Sequence, residues 1–344
     1  MRIKFLELPE ATRKNIFEQI AVKTSMKPFA VEKDWWVSRT LEIIFSMDVA
    51  HHLVFKGGTS LSKAWRLIER FSEDVDLAID KEIFMAQDTV WSRSKLTKLR
   101  KEAGAYTTGR FFKDLQIEFA KRGFDNLDFK VIDAKDSDQD PRIIEIYYPH
   151  LTPIVSDYIK PRIQLELGCR SLKEPFSYQE FGSLVDEYYK DREFVEPFFK
   201  VPSVNPERTF LEKLFLLHEE FHKPKEKIRI DRLSRHLYDI YRLAKEGVAV
   251  KAIQDKSLYE TIIKHRYTFS RISQIDYNLL SPKTIDPTPI QEVIDDWKED
   301  YIAMQTEMIY EENSPTFEDL ISNLYDLKKQ LKSLKWDFEL RFPR

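Results

Sequence analysis

A chain of 344 residues is long enough for two domains or for one domain with a large appendage, and its 42% apolar content excludes an intrinsically disordered protein. The formal net charge of -3 excludes a nucleic-acid binder that acts through overall charge, so contact with a polyanion requires a local basic patch.

The cysteine content and the N-terminal stretch bear on cellular location. The single cysteine, Cys169, excludes an internal disulfide and a thiolate metal cluster, which fits a reducing compartment. The N-terminal stretch MRIKFLELPEATR lacks the apolar core of a signal peptide, and no window approaches the length of a membrane span. These features predict a cytoplasmic protein that is not anchored in a membrane.

The first two hundred residues mix helical and strand patterns. In chain order, the apolar spacing predicts helices at 10–23 and 29–46, a strand at 52–55, a helix from Leu61 to about Arg70 capped by Ser60, a strand at 75–79, a basic helical stretch at 88–122, and strands at 127–133, 143–149 and 162–168.

The pattern changes after VPSVNPER, residues 201–208, where two prolines favour a domain boundary. From there the spacing predicts only amphipathic helices, at 206–222, 230–246, 250–265, 287–311 and 316–335. The predicted fold class is therefore α+β, with a mixed α/β domain and its N-terminal helices at 1–200 and an all-helical domain at 201–344.

The stretch FKGGTS places a turn of two glycines between a strand and a helix start. Gly57 and Gly58 let backbone N–H groups approach an anion without side-chain obstruction, and a helix N-terminus adds partial positive charge. The hydroxyls of Thr59 and Ser60 can donate to phosphate oxygens. Most such turns only satisfy backbone sterics, and the Gly-x-x-x-x-Gly-Lys-Ser/Thr pattern of a P-loop is absent.

Two carboxylates follow at the start of the next predicted strand. Asp74 and Asp76 are two residues apart and so face the same side, where their like charges repel unless a cation lies between them. Mg²⁺ takes one or two such carboxylates and completes its coordination with water and substrate phosphates. A solvated strand edge explains an isolated Asp-x-Asp, but the neighbouring Gly-Gly-Thr-Ser favours metal-assisted phosphoryl chemistry.

A third carboxylate lies on a later predicted strand. In RIQLELG, apolar residues alternate with Arg162, Gln164 and Glu166. Glu166 reaches the same metal or acts as a base if this strand lies beside the first, and is otherwise part of a wet strand face.

The order of strand, Gly-Gly turn, helix and Asp-x-Asp strand resembles the nucleotidyltransferase superfamily that includes DNA polymerase β. More narrowly, FKGGTSLSKAW and IERFSEDVDLAI are similar to the AbiEii/AbiGii toxins of bacterial type IV toxin–antitoxin and abortive-infection systems. The stretches VEKDWWVSRTLEIIF, LEKLFLLHEEF and RLSRHLYDIYRL also resemble that family, so the resemblance covers residues 29–245. It implies a polymerase-β-like mixed sheet with flanking helices and a metal-dependent nucleotidyltransferase.

The resemblance assigns roles to the motif. It implies that Gly57, Gly58, Thr59 and Ser60 hold the phosphates of an NTP, and that Asp74 and Asp76 bind Mg²⁺ or Mn²⁺.

Two later positions match further functional residues of the family, Lys213 and Asp239. A lysine can neutralise a triphosphate, and Asp239 can orient it or activate a hydroxyl. The alternatives are a solvent-facing lysine and an aspartate paired with Arg235 or Arg242 on its own helix. The family helix commonly reads Arg-Asp-x-x-Asp, whereas His236 stands here in place of the first acid. Arg70 and Ser72 are interpreted as structural supports.

Substrates and partners are predicted by the same resemblance: an NTP, a tRNA acceptor end or other RNA, or else a protein target, and a cognate antitoxin. Basic stretches at 91–101 and 327–336 suit phosphate backbones, although most charge runs are solvated faces. The leading hypothesis is a toxin that blocks translation or growth by transferring NMP to tRNA. Its rivals are a non-catalytic nucleotide- or RNA-binding module and an antitoxin-like structural partner.

Overall fold

The computed structural model describes residues 3–72, 74–86, 89–153 and 160–343. It divides into two compact units. The α/β unit comprises Met1–Trp65 and Phe71–Val204, and the helical unit comprises Arg66–Arg70 and Asn205–Arg344. The domains predicted from the sequence meet at residue 200, whereas the structural division falls after Val204 and also assigns Arg66–Arg70 to the helical unit.

Helices and strands alternate in the α/β unit. In chain order they are α1 (Glu10–Thr24), α2 (Pro28–Ile44), β1 (Leu53–Lys56), α3 (Gly57–Thr59), β2 (Asp74–Ile79), α4 (Arg93–Tyr106), α5 (Phe112–Lys121), β3 (Asp128–Val131), β4 (Arg142–Tyr147), β5 (Arg162–Gly168), β6 (Phe176–Phe181), α6 (Leu184–Tyr188) and β7 (Phe199–Val204). A π-helical turn, Ser60–Ala64, continues α3, and another, Thr107–Phe111, joins α4 to α5. Residues 57–64 are called the glycine turn below.

Within the described residues, seven strands form one mixed sheet in the order β3-β4-β5-β2-β1-β7-β6. The β2–β5 and β1–β7 pairs are parallel, and the other neighbours are antiparallel. Alternation along the central strands buries Phe55, Val75 and Leu165 completely. This mixed sheet and the helices around it confirm the predicted α+β class.

Three elements of this unit were not predicted: β6, α6 and β7. The β6 sequence FSYQEF lies at the sheet edge and is largely polar, and β7 contains Pro202, which faces Tyr178 of β6. Proline removes a ladder donor and therefore argued against a strand. The predicted helix from Leu61 to Arg70 was also wrong, because helical structure ends at Ala64 and Ser60 lies inside it without capping it.

Helix α2 carries three consecutive charged side chains that are buried or half-buried. Glu32 accepts hydrogen bonds from the backbone N–H and hydroxyl of Thr152, at 2.9 and 2.5 Å. Lys33 donates to the Lys160 carbonyl at 3.0 Å. Asp34 accepts from Lys63 of the glycine turn at 2.5 Å and from the Leu184 N–H at 2.7 Å. The Glu-Lys-Asp sequence on α2 therefore joins surrounding loops and the glycine turn to this helix.

Among the residues that the structure describes after Asn205, the α-helices of the helical unit are α7 (Pro206–Phe221), α8 (Arg235–Lys245), α9 (Val248–Gln254), α10 (Lys256–Phe269), α11 (Ile294–Met308) and α12 (Phe317–Ser333). The predicted helix at 250–265 is replaced by α9 and α10, which meet at Asp255. The Asp255 carboxylate caps α10 by accepting from the Leu258 N–H at 2.9 Å. In the part of the chain that the structure describes, no helix combines the length and apolarity of a membrane span.

Candidate active site

The register of three central strands brings the predicted carboxylates onto one face of the sheet. Asp76 lies opposite Lys56 of β1 and beside Glu166 of β5, and Asp74 lies beside Gln164. Side chains at paired positions of neighbouring strands project to the same side. The condition set for Glu166, that its strand lies next to the Asp-x-Asp strand, is met.

The carboxylate of Asp76 lies directly against the glycine turn. Gly57 has φ +81°, a left-handed conformation that side chains disfavour, and a Cβ built on it would lie 2.1 Å from Asp76 Oδ2. Only glycine therefore allows this backbone and this carboxylate to approach so closely. The Gly-Gly turn and the Asp-x-Asp strand meet as the sequence pattern predicted.

Gly57→Ala is expected to destabilise the protein more than Gly247→Ala. Gly247 has φ +75° but open space around its Cβ position, so its substitution incurs the backbone strain alone, about 1–2 kcal/mol. At Gly57 the same strain is joined by the collision with Asp76. Urea unfolding of both variants measures the difference, and equal losses would show that the close approach to Asp76 has no energetic consequence.

The two hydroxyls of the turn differ in their environments. Thr59 is buried and donates its hydroxyl to the main-chain carbonyl of Asp74, which holds the glycine turn on β2. Ser60 is also buried, and its hydroxyl has no hydrogen-bond partner among the described residues. Thr59 thus has a structural contact that fixes the turn, whereas the Ser60 hydroxyl has none among the described residues.

Glu166 lies in a strongly perturbed environment. Burial, followed by the negative charges of Asp76 and Asp74, raises its pKa to about 7, and Lys56 only partly opposes this. Gln164 donates to Glu166 Oε1 at 2.9 Å and in turn accepts from Arg162 at 2.8 Å. The carboxyl group is therefore held in place and titrates near neutral pH.

This raised pKa gives Glu166 a destabilising effect that grows with pH. The folded state binds the proton more tightly than the unfolded chain, whose glutamate pKa is about 4.3, so stability is lost as pH rises from there towards 7. Glu166→Gln should therefore gain stability over the wild type between about pH 5 and 8, by on the order of 2 kcal/mol in metal-free buffer. Urea unfolding at both pH values tests this, and a constant difference would contradict it.

The acids fit a divalent metal site that substrate must complete. Within residues 3–72, 74–86, 89–153 and 160–343, no group of three or more His, Cys, Asp or Glu side chains is placed to hold a metal ion. Asp76 contacts Lys56 Nζ at 3.8 Å, a long and partly exposed ion pair. Two carboxylates whose charges raise the pKa of a third, Glu166, belong to the kind of donor set that Mg²⁺ or Mn²⁺ shares with phosphate oxygens.

The other two predicted residues lie together in the helical unit. Lys213 of α7 and Asp239 of α8 form an ion pair, with 2.9 Å between Nζ and Oδ2. Arg70 donates to the same carboxylate through two nitrogens, at 2.7 and 2.8 Å. His236 Nδ1 lies 3.2 Å from Lys213 Nζ. Asp239 thus pairs with Lys213 and Arg70 rather than with the helical neighbours considered from the sequence.

Burial and neighbouring charges together set the protonation states of Lys213, Asp239 and His236. Lys213 is only 7% exposed and Asp239 is fully buried. Burial lowers the pKa of Lys213, and Asp239 opposes this. Burial would raise the pKa of Asp239, but Arg70 and Lys213 outweigh it and hold that pKa well below its usual range. Burial and Lys213 lower the pKa of His236, which is therefore neutral and able to accept a hydrogen bond from the lysine.

Sequence reasoning missed Lys56 as a site residue, although its position opposite Asp76 follows once β1 and β2 are paired. Charges in both basic stretches have acidic partners within the protein. These pairs are Lys98–Glu102, Arg100–Asp138, Lys328–Asp286 and Lys329–Asp326. This pairing favours the interpretation of those stretches as solvated faces.

A family model described as the nucleotidyl transferase AbiEii toxin of type IV toxin–antitoxin systems matches residues 41–323. The chain belongs to the AbiEii toxin family. This AbiEii protein is therefore a nucleotidyltransferase, and membership implies an NTP substrate and a cognate antitoxin. No curated protein matches its sequence.

Three solved structures are similar to this chain at low sequence identity. The nucleotidyltransferase toxin MenT4 from Mycobacterium tuberculosis H37Rv is 17% identical, with 95% of this chain and 91% of that chain covered and a TM-score of 0.49. JHP933 from Helicobacter pylori is 14% identical, with coverages of 88% and 91% and a TM-score of 0.41. A putative nucleotidyltransferase from H. pylori is 14% identical, with coverages of 89% and 96% and a TM-score of 0.42.

Proposed function

We propose that this AbiEii toxin transfers a nucleoside monophosphate from an NTP to the 3' end of a tRNA, with a divalent metal ion held by Asp74 and Asp76. The observation that carries the proposal is the approach of Asp76 to Gly57, which sets a carboxylate against a turn suited to phosphate. An anion-binding turn and a cation-binding carboxylate pair are the two components that NTP-dependent transfer requires.

The residues of the α/β unit have distinct roles in this proposal. Backbone N–H groups of Gly57 and Gly58, with the Ser60 hydroxyl, bind the phosphates, while Thr59 secures the turn. Asp74 and Asp76 hold Mg²⁺ or Mn²⁺. When bound, the metal ion supplies Lewis-acid polarisation of the phosphate and neutralises charge on the leaving group.

The proposed transfer exchanges one phosphorus–oxygen bond for another and moves one proton. The 3'-hydroxyl oxygen of the acceptor forms a bond to the α-phosphorus, the bond from that phosphorus to the bridging oxygen breaks, and pyrophosphate leaves. Glu166 accepts the proton of the attacking hydroxyl, because a base with a pKa of about 7 is matched to working pH. Lys213, oriented by Asp239 through their 2.9 Å ion pair, is the cation to which the family resemblance assigns charge neutralisation.

The acceptor and the outcome for the cell rest on family membership. AbiEii proteins are toxins of type IV systems, which supports an acceptor whose modification stops translation or growth. A free tRNA 3' end offers a hydroxyl for the transfer described above. A protein hydroxyl would satisfy the same chemistry, so the acceptor must be measured.

The acceptor assay incubates the purified protein with cell extract, Mg²⁺ and each NTP labelled at the α-phosphate, followed by a gel that separates RNA from protein. Label in the tRNA band, removed by nuclease but not by protease, is the expected result. Label in protein bands would replace the tRNA acceptor with a protein, and absence of label from every NTP would refute the proposed transferase activity.

A further inference from the structure

Segment Arg66–Arg70 connects the glycine turn to β2, which carries Asp74 and Asp76, along the chain. It follows the glycine turn and precedes β2, yet the structure groups it with the helical unit rather than with the α/β unit. Its path therefore sets the connection between the residues that bind phosphate and those that bind metal in the proposed function.

The side chain of Arg70 anchors the end of this segment. Arg70 is 1% exposed, and its Nε and Nη2 atoms donate to separate oxygens of Asp239 at 2.7 and 2.8 Å. Such a bidentate arginine–carboxylate contact fixes the relative orientation of the two side chains as well as the distance between them. Lys213 occupies the remaining side of Asp239 Oδ2 at 2.9 Å.

The neighbouring residue, Glu69, is held by three more contacts. Its N–H donates to the Tyr238 hydroxyl at 3.3 Å, and its carbonyl accepts from the Tyr310 N–H at 3.1 Å. Its carboxylate accepts from Arg242 at 3.1 Å. A single antiparallel bridge also pairs Arg70 with Ile309. Together these contacts form the segment clamp, in which Arg70 and Glu69 bind α8 and the chain after α11.

We infer that Arg70 and Asp239 are positioning residues, and that the segment clamp aligns the glycine turn with Asp74 and Asp76 for transfer. Both oxygens of Asp239 already bind cationic groups, and no face of this carboxylate is exposed, so it acts through Arg70 rather than on a reacting hydroxyl. The activity part of this inference rests on the proposed function, whereas the structural part does not.

Arg70→Lys tests the segment clamp, because it keeps the positive charge beside Asp239 but loses the bidentate hydrogen bonding of the guanidinium group. Arg266→Lys is the matched control: Arg266 also donates through Nε and Nη2 to one carboxylate, that of Glu219, within the helical unit, and it is not part of the clamp. Arg70→Lys is expected to lower kcat at saturating NTP on the order of 10²-fold with little change in KM. The glycine turn still binds phosphate and the Asp74–Asp76 pair still binds the metal ion, but the two are misaligned with each other. Arg266→Lys should retain kcat.

Amide hydrogen exchange supplies the readout that is independent of activity. In Arg70→Lys the amides of Glu69, Tyr310 and the first residues of β2 should exchange faster, by about tenfold or more, while those of α10 do not. An unchanged kcat in Arg70→Lys, or a lowered kcat with unchanged exchange at these amides, would overturn the inference. If the wild type transfers nothing, the proposed function fails. Independently of activity, unchanged amide exchange at Asp74 and Val75 in Arg70→Lys would refute the positioning role.

Discussion

Asp76→Asn is expected to reduce nucleotidyl transfer by at least about 10³-fold while leaving the protein folded. Asparagine keeps the size of the side chain that lies against Gly57 but removes the charge proposed to bind the metal ion. It also removes one of the charges that raise the pKa of Glu166, so that acid should ionise at lower pH in the variant. The rate of label transfer from the α-phosphate at saturating Mg²⁺ measures the loss.

Asp128→Asn provides the matched control for this experiment. Asp128 lies on β3, an edge strand of the same sheet, where its exposed side chain pairs with Lys130 at 3.0 Å. The same loss of one carboxylate charge there should leave transfer within about twofold of wild type. Substantial transfer by Asp76→Asn would remove Asp76 from the mechanism, and an equal loss in both variants would show a nonspecific effect of charge.

Asp239→Asn is expected to lower the free energy of unfolding by about 3–5 kcal/mol, because it leaves two buried cations without their counterion. Arg70 and Lys213 both pair with Asp239, and all three side chains are almost completely buried. The carboxylate pKa is held low in the folded state, so its contribution is present above the unfolded value of about 3.9 and is lost as pH falls below it. Urea unfolding at neutral pH measures the loss.

Asp326→Asn is the control in the helical unit. Asp326 pairs with Lys329 one turn away at 2.9 Å on an exposed face of α12, and such pairs contribute well under about 1 kcal/mol. Comparable unfolding free energies for Asp239→Asn and Asp326→Asn would mean that the buried pair contributes no more than a surface one. That result would also weaken the segment clamp, which depends on the same carboxylate.

The backbone geometry of the candidate motif was predictable because its signals are local. The two-residue spacing of Asp74 and Asp76, and the left-handed freedom of Gly57, follow from backbone geometry alone. Alternation in RIQLELG also placed Glu166 on a polar face, but its position beside Asp76 depends on a parallel strand pairing between distant segments. Strand order is decided by the whole sheet, so it required the structure.

Residues 66–70 show the limit of local reasoning. The sequence favours a helix to Arg70, yet helical structure ends at Ala64, and Arg70 pairs instead with Asp239, 169 positions away. Long-range contacts of this kind override weak helix propensity. By contrast, the break at Asp255 carries a recognisable signal, since aspartate is a preferred helix cap, although the continuous apolar spacing obscured it.

Calorimetric titration of NTP into the protein, with and without Mg²⁺, is the most direct test of the claim that Asp74, Asp76 and the glycine turn form one nucleotide site. The wild type should bind NTP with Mg²⁺ and much more weakly without it, and the double variant Asp74→Asn/Asp76→Asn, shown to be folded by circular dichroism, should lose the Mg²⁺-dependent binding. Equal Mg²⁺-dependent binding by the wild type and the double variant would contradict it.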